Sequence, residues 1–343
     1  MYRRVELREF GGPETLVLRE EAALPQPSAG QLRVKVLAAG TGFTDTIIRQ
    51  GQYVGVKQKP PFTPGYDWFG VVDALGEGVT DFAIGDAVAD MPVIGGYTEY
   101  LCVDAERVVR APKALDAAAA VCMILSYTTA YQMLTREANM QAGQSCLIHA
   151  AGGAVGTALL ELGRRMGLTM YGTGSAAKRE VIEKFGATHI DYRSCDFEER
   201  INTLTQGGGV DAVFDTIGGK NWSRSYRCLR RGGRLVGFGA LQLTTGEESV
   251  PSVIFGFAKL MALWKLLPDG RRSGFYNIQT RRERYPEEFR EDVQALFGML
   301  AAGELQPVIA ERARLEDIVD IHRRLDCGDI AGKVVIDMAC PAA

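Results

Sequence analysis

The chain has 343 residues, 46% of them hydrophobic and 24% charged. That balance suits a soluble globular protein of about two domains and excludes a disordered chain. Its 39 Lys plus Arg stand against 42 Asp plus Glu, so there is no electrostatic footprint for nucleic acid.

In chain order, the first ten residues lack an apolar core of signal-peptide length. The first 125 residues read as short strands divided by turn signals. Leu32, Val34 and Val36 alternate with Arg33 and Lys35, the period-2 mark of a half-buried strand. Segments 68–75, 86–89 and 97–103 read likewise, punctuated by Pro-Pro, Gly-Glu-Gly and Gly-Gly. With no βαβ rhythm here, a mostly antiparallel β unit is predicted. The rhythm changes near residue 145. Strands are predicted at 145–149, 169–173, 188–192, 211–216 and 234–239, with helices at 153–166, 176–185, 196–205 and 220–229 between them. A helical insert at 251–267 leads to a sixth strand, 273–278. This alternation predicts a parallel, doubly wound sheet. The rest holds two helices, 286–301 and 315–326, and a strand at 333–338. These are too few for a domain, so they are expected to complete the N-terminal β unit. The expected division is 1–125 with 285–343, and 126–284 between them.

Segment 253–267 is the one apolar run that invites a membrane reading. Lys259 and Lys265 interrupt it, and it is shorter than the roughly 20 residues a span requires. A surface or interface helix is expected instead. The seven Cys are odd in number and form no C-x-x-C pair, and the three His show no H-x-x-H spacing. A disulfide framework and a spaced zinc site are both unexpected, and a reducing cytoplasm is the expected compartment.

The first βα turn reads His149-Ala-Ala-Gly-Gly-Ala-Val-Gly156. Aligned on G-x-G-x-x-G it becomes Ala151-x-Gly153-x-x-Gly156. Gly153 would let backbone N–H groups approach a pyrophosphate, and Gly156 would let the helix pack on the sheet. The other reading is a tight turn with no ligand. An acid about 20 residues on would bind the ribose of NAD. The second strand instead leads into Ser175, Lys178 and Arg179, with no acid before Glu180. Those residues suit a 2′-phosphate, so NADP(H) is expected; a solvated helix start is the alternative.

Further motifs are Phe10-Gly-Gly-Pro-Glu14, Pro64-Gly-Tyr-Asp67 leading into Gly70-Val-Val, Gly95-Gly-Tyr-Thr-Glu-Tyr100, Tyr127-Thr-Thr-Ala-Tyr131, Phe214-Asp-Thr-Ile-Gly-Gly219 and Gly232-Gly-Arg-Leu-Val-Gly-Phe-Gly239. With the Ala150–Gly156 turn they cover nearly the whole chain. Together they resemble the medium-chain dehydrogenase/reductase superfamily, and within it the zinc-independent quinone oxidoreductases. The resemblance implies an α/β protein: a GroES-like, mostly antiparallel β catalytic domain plus a six-stranded parallel Rossmann domain, with NADP(H) in the cleft between them. It places Thr129 beside the nicotinamide, and Gly152, Gly153, Ala154, Val155 and Gly156 at the diphosphate. It places Gly174, Ser175, Lys178 and Tyr192 around the 2′-phosphate, and Ile217, Phe238, Gly239, Phe275 and Tyr276 around the nicotinamide and its ribose. For Tyr192 and Phe238, core packing is the other reading.

In the alcohol-dehydrogenase branch a zinc-binding Cys aligns with Gly42, a His with Tyr66 and a Glu with Asp67, and the four-Cys lobe has no counterpart near 91–105. Gly and Tyr do not replace thiolate and imidazole as zinc ligands, so no metal is expected. The implied substrates are activated by conjugation: quinones, or α,β-unsaturated carbonyls. Two departures, Gly42 where the quinone branch often has Asn and Ile47 where it has Tyr, imply a wider and more apolar pocket. Tyr53 is the remaining candidate acid or orienting hydroxyl, with wall packing as its alternative. Three functions are open: a quinone or enone reductase, an enoyl-thioester reductase, and a nucleotide-binding scaffold docking on a membrane or partner through 253–267. The sixth strand implies a homodimer through an exposed sheet edge.

Overall fold

A computed structural model describes residues 1–241 and 249–339. The chain divides into two compact units, Met1–Thr128 with the chain from Arg282 onward, and Thr129–Arg281. The strands in chain order are β1 (Tyr2–Leu7), β2 (Leu16–Glu21), β3 (Gln31–Gly40), β4 (Asp67–Leu75), β5 (Ala87–Asp90), β6 (Tyr100–Asp104) and β7 (Val109–Arg110). They continue with β8 (Ser145–Ile148), β9 (Thr169–Gly174), β10 (Thr188–Asp191), β11 (Val210–Asp215), β12 (Leu229–Gly237), β13 (Arg272–Phe275), β14 (Ile309–Ala313) and β15 (Lys333–Asp337).

In the first unit, β3 pairs antiparallel with β4, β6 and β15. The sheet runs β14-β15-β3-β4-β5-β7, with β6 on β3. The alternation read from Leu32, Val34 and Val36 holds, because all three are fully buried with Trp68, Val72 and Val88. Burying each such side chain contributes roughly 1.5–3 kcal/mol. The C-terminal strand β15 lies inside this sheet between β14 and β3, so distant ends of the chain build one core. The pair β14–β15 is parallel, which makes the sheet mixed. β1 and β2 form a separate antiparallel ribbon that the sequence patterns did not single out. The strand expected at 97–103 begins at Tyr100. Tyr97 is spent on loop bonds, its N–H to Pro64 and its carbonyl to Val5.

The second unit is a six-stranded parallel sheet in the order β10-β9-β8-β11-β12-β13. The helix Ala154–Arg165 buries Leu159, Leu160 and Leu162 and places Arg164 and Arg165 at its negative C-terminal end. Gly167, at φ +72°, turns the chain away after it. Several boundaries differ from expectation. The sixth strand stops at Phe275, and a helix runs Ile278–Arg284. Asn277 causes the switch: its side chain accepts from Thr280 N–H and its carbonyl from Arg281 N–H, so it works as a helix cap. The fifth strand ends at Gly237, leaving Phe238 and Gly239 beyond it. The third ends at Asp191, leaving Tyr192 outside. The insert forms a helix, Val250–Met261, and a 3-10 turn, Leu263–Leu266.

A longer apolar helix than the insert is Ala117–Glu137, whose length and composition would allow a membrane crossing. It is the one such helix among the described residues, and 78% of its apolar window is buried, as in the core helix of a soluble protein.

Candidate functional site

In the second unit, the turn after β8 shows why Ala stands where the fingerprint has its first glycine. Ala151 is buried and its N–H donates to the Thr173 carbonyl. Its methyl fills space left by Gly172 on β9, where a Cβ would come within 2.8 Å of it. Ala150 takes the left-handed bend, φ +51°, at about 1 kcal/mol for a non-glycine residue. The two remaining glycines serve different needs. A Cβ on Gly156 would lie 2.6 Å from the Ala151 Cα and collide with the Ala150 carbonyl, so protein packing demands that glycine. A Cβ on Gly153 meets only the Ala150 carbonyl, at 3.4 Å. The fold alone leaves room for a Cβ there.

Gly153 is the N-cap of the helix that begins Ala154-Val155-Gly156. First-turn N–H groups have no acceptor within a helix, so this end offers backbone donors to an anion. Lys178 lies across the same turn. Its aliphatic stem occupies the position that a side chain on Gly152 would take, 2.6 Å from such a Cβ, and its own Cβ is 3.3 Å from the equivalent point on Gly174. Ser175 precedes the short 3-10 turn that carries Lys178, whose N–H donates to the Ser175 carbonyl. Backbone donors and one lysine thus stand together at the end of β8 and β9, a donor set that fits a dinucleotide phosphate. Arg179 is exposed, and Tyr192 is 54% exposed, so core packing does not account for Tyr192.

Thr129 is buried and follows a π-helical turn, Met123–Tyr127. Such turns are wide insertions that recur at functional sites, and here the Thr128 hydroxyl bonds the Met123 carbonyl at 2.8 Å. One helical turn beyond Thr129, Gln132 accepts a 2.8 Å hydrogen bond from the Tyr276 hydroxyl. Tyr276 and Thr129 are therefore tied to one helical stretch. Phe275, the last residue of β13, points elsewhere, its ring against Trp222 and Phe257. Ile217 and Phe238 are half-buried, and Phe238 donates its N–H to Asp215. Gly239 backs onto Thr216 so closely that no Cβ fits.

Behind this end of the sheet is a polar network that sequence reading missed. His149 bonds the Thr173 hydroxyl at 3.1 Å and the Ser225 hydroxyl at 3.0 Å. Ser225 in turn donates to Asp215 at 2.6 Å. Asp215 also accepts from Asn221 and from the N–H groups of Ile217 and Gly218. Burial holds the His149 imidazole below its ordinary pKa, so it stays neutral and bridges two hydroxyls. Polar residues at the ends of apolar strands, His149 and Asp215, were the available signal.

In the first unit, Gly42 caps the helix Phe43–Arg49, and its N–H donates to Asp45 at 2.9 Å. The Tyr66 hydroxyl meets that of Tyr53 at 2.7 Å, with the rings edge to face. Asp67 is fully buried, pairs with Lys333 at 3.2 Å and accepts from Leu125 N–H. Burial still raises its pKa against the pull of Lys333. Asp45, also fully buried, is pushed up to about 7 by burial and by Asp67. Gly40 is what admits the Asp67–Lys333 pair, since a Cβ there would overlap both side chains.

Two family descriptions match: an alcohol dehydrogenase GroES-like domain over residues 28–113, and a zinc-binding dehydrogenase over residues 185–336. The chain is 31% identical to the quinone oxidoreductase of Homo sapiens, over 98% of each protein. It is 37% identical to the synaptic vesicle membrane protein VAT-1 homolog of Rattus norvegicus, over 96% of this chain and 82% of that one. Among solved structures, the Escherichia coli quinone oxidoreductase complexed with NADPH superposes with a TM-score of 0.83 and 27% identity, over 98% of this chain and 99% of that one. One description names zinc, and the three positions that align with the zinc-branch residues are otherwise committed. Gly42 has no side chain, the Tyr66 hydroxyl is bonded to Tyr53, and Asp67 is bonded to Lys333. Among the described residues no cluster of three or more His, Cys, Asp or Glu could hold a metal ion.

Proposed function

The chain belongs to the medium-chain dehydrogenase/reductase superfamily, in its quinone-oxidoreductase-like branch, and on that premise we propose that this oxidoreductase uses NADPH, without zinc, to reduce quinones or the C=C bond of α,β-unsaturated carbonyls. The observation that carries the reading is the phosphate-facing turn, where Gly153 is left open at a helix N-terminus and Lys178 is laid over Gly152. Bound NADPH supplies the hydride. The chain's residues bind, orient and manage the proton. Gly153, Ala154 and Val155 present N–H groups to the diphosphate, and Lys178 with Ser175 meets the 2′-phosphate through charge-assisted bonds. Thr129, Tyr276 and Ile217 line the nicotinamide side, and Tyr53 supplies or orients the proton that balances the hydride. With Gly42 and Tyr66 at positions where the zinc-dependent branch has ligands, conjugation and hydrogen bonding activate the carbonyl oxygen in this reading.

The assay is NADPH oxidation against a panel of quinones, enals, enones and enoyl thioesters, with NADH as control. Turnover with a quinone or enone and a preference for NADPH supports the proposal. Exclusive turnover of thioesters would move the assignment to an enoyl reductase, and absence of any turnover would reject it.

A second reading, a docking scaffold, draws on Ile254, Phe255, Leu263 and Leu266, large apolar residues exposed along the insert. Flotation with anionic liposomes, beside a variant carrying Ser at these four positions, tests it. The described cysteines are all free thiols, in keeping with a reducing compartment such as the cytoplasm. The edge strand β13 is the expected seam of a homodimer.

A further inference from the structure

Tyr66 stands where the metal-dependent branch places a zinc-binding His, and the zinc-free chain keeps a polar group there. It is 1% exposed, and the Tyr53 hydroxyl, at 2.7 Å, is the one hydrogen-bond partner of its own hydroxyl among the described residues. The edge-to-face packing of the rings, 5.9 Å apart at 88°, fixes the pair sterically as well. A buried hydroxyl that fails to donate forfeits about 1–3 kcal/mol. The Tyr66 proton therefore points at the Tyr53 oxygen, and the half-buried Tyr53 directs its own proton away from Tyr66.

Resting on the reading above that Tyr53 handles the reaction's proton, we propose that Tyr66 is the positioning residue for Tyr53, donating a hydrogen bond that aims the Tyr53 proton and stabilises the phenolate left when it departs. In the step, the Tyr53 O–H bond breaks and its proton joins the oxygen or carbon that carries negative charge after hydride arrival. The phenolate keeps the electron pair, accepts from Tyr66, and is reprotonated by water. Tyr66 does not itself ionise. The groups facing it are Asp45 from the helix Phe43–Arg49 and Asp67 from β4, with Lys333 of β15 behind Asp67 and Tyr97 facing Asp45. Burial and the two acids hold its phenol well above the ordinary value. The buried phenol thus keeps its proton and donates it to Tyr53.

The test uses Tyr66→Phe and Tyr53→Phe in the full chain. Carbon-13 NMR of ring-labelled tyrosine follows Tyr53, assigned by the resonance lost in Tyr53→Phe, and needs no turnover. In Tyr66→Phe the Tyr53 ionisation should move to higher pH by about one unit, the equivalent of one hydrogen bond to a charged group. With the best substrate of the panel, kcat should fall about tenfold while KM for NADPH stays put, and the alkaline limb of the kcat profile should move with the NMR titration. An unchanged Tyr53 titration in a folded Tyr66→Phe protein overturns the proposal. A shifted titration with kcat unchanged also overturns it, because Tyr66 would then hold Tyr53 without serving the reaction. Failure of the wild type to oxidise NADPH would reject the function above, and the NMR titration alone would then decide whether Tyr66 tunes Tyr53.

Discussion

Glycines 153 and 156 lie three residues apart in one motif, yet the structure separates their duties, and that separation can be measured. Gly156→Ala forces a methyl against the backbone of Ala150 and Ala151, so it should lower Tm, by about 1–3 kcal/mol in stability. Gly153→Val should cost no more stability than an unfavourable N-cap does, about 1 kcal/mol, and remove NADPH binding in a fluorescence titration. Equal thermal damage from both would mean that Gly153 too serves the fold. Lys178→Ala should weaken NADPH by 10–100-fold, about 1.5–3 kcal/mol for a charge-assisted contact, and leave NADH almost untouched. Equal losses in calorimetric titrations would remove the 2′-phosphate assignment.

Two buried titrating groups predict opposed pH slopes. His322, depressed to about 3 by burial and by Arg49, refuses a proton that the unfolded chain accepts below about pH 6.5. Its stabilisation is present above that value and is lost as pH falls toward 3. Asp45 has the opposite sign. Its folded carboxyl keeps a proton up to about 7, whereas the unfolded one releases it near pH ~4. Its contribution is full below that point and lost as pH rises through 7. Between pH ~4 and ~6.5 the two offset each other. Asp45→Asn removes one side, so urea melts of that variant should show stability rising with pH by up to ~1.4 kcal/mol per unit. A flat profile would show that His322 does not carry the other slope.

Among the elements, β13 ends the parallel sheet with pairing on one side only, to β12. An open edge invites a partner strand, and sedimentation should give twice the monomer mass; a monomer at micromolar concentration would reject the pairing. The strand is short because Asn277 starts a helix two residues after Phe275. At its end the aromatics still divide labour: Phe275, the last strand residue, packs toward Trp222 and Phe257, and Tyr276 just beyond it bonds Gln132. The strand–helix rhythm located this strand, and the family resemblance named its neighbouring aromatics, Phe275 and Tyr276. It did not locate the stop, because the cap at Asn277 depends on hydrogen bonds made farther along.

In the whole molecule the polar tie in the first unit joins residues far apart in sequence. Lys333 near the C-terminus neutralises Asp67 of β4, both essentially fully buried. Removing one partner of such a pair strands a charge. Lys333→Met should destabilise by about 3–5 kcal/mol, and adding Asp67→Asn should recover most of the loss. Chemical melts of the two single variants and the double variant would measure the coupling, and additive losses would refute it.

The length, the strand–helix rhythm and the Ala151-x-Gly153-x-x-Gly156 turn determined, with no structure, that this is a two-part α/β chain with a nucleotide turn at Gly153–Gly156. Local conformational freedom and side-chain period are written in neighbouring residues. The turn was legible for that reason; Gly42, Tyr66 and Tyr53 were singled out only by the resemblance to a known family. Tertiary structure decided what those residues meet: Ala151 against Gly172, Lys178 over Gly152, His149 between Thr173 and Ser225, and Tyr66 on Tyr53. Each of these is a contact between residues 13 or more apart, set by which elements neighbour one another and how closely they pack, and no local pattern encodes that distance.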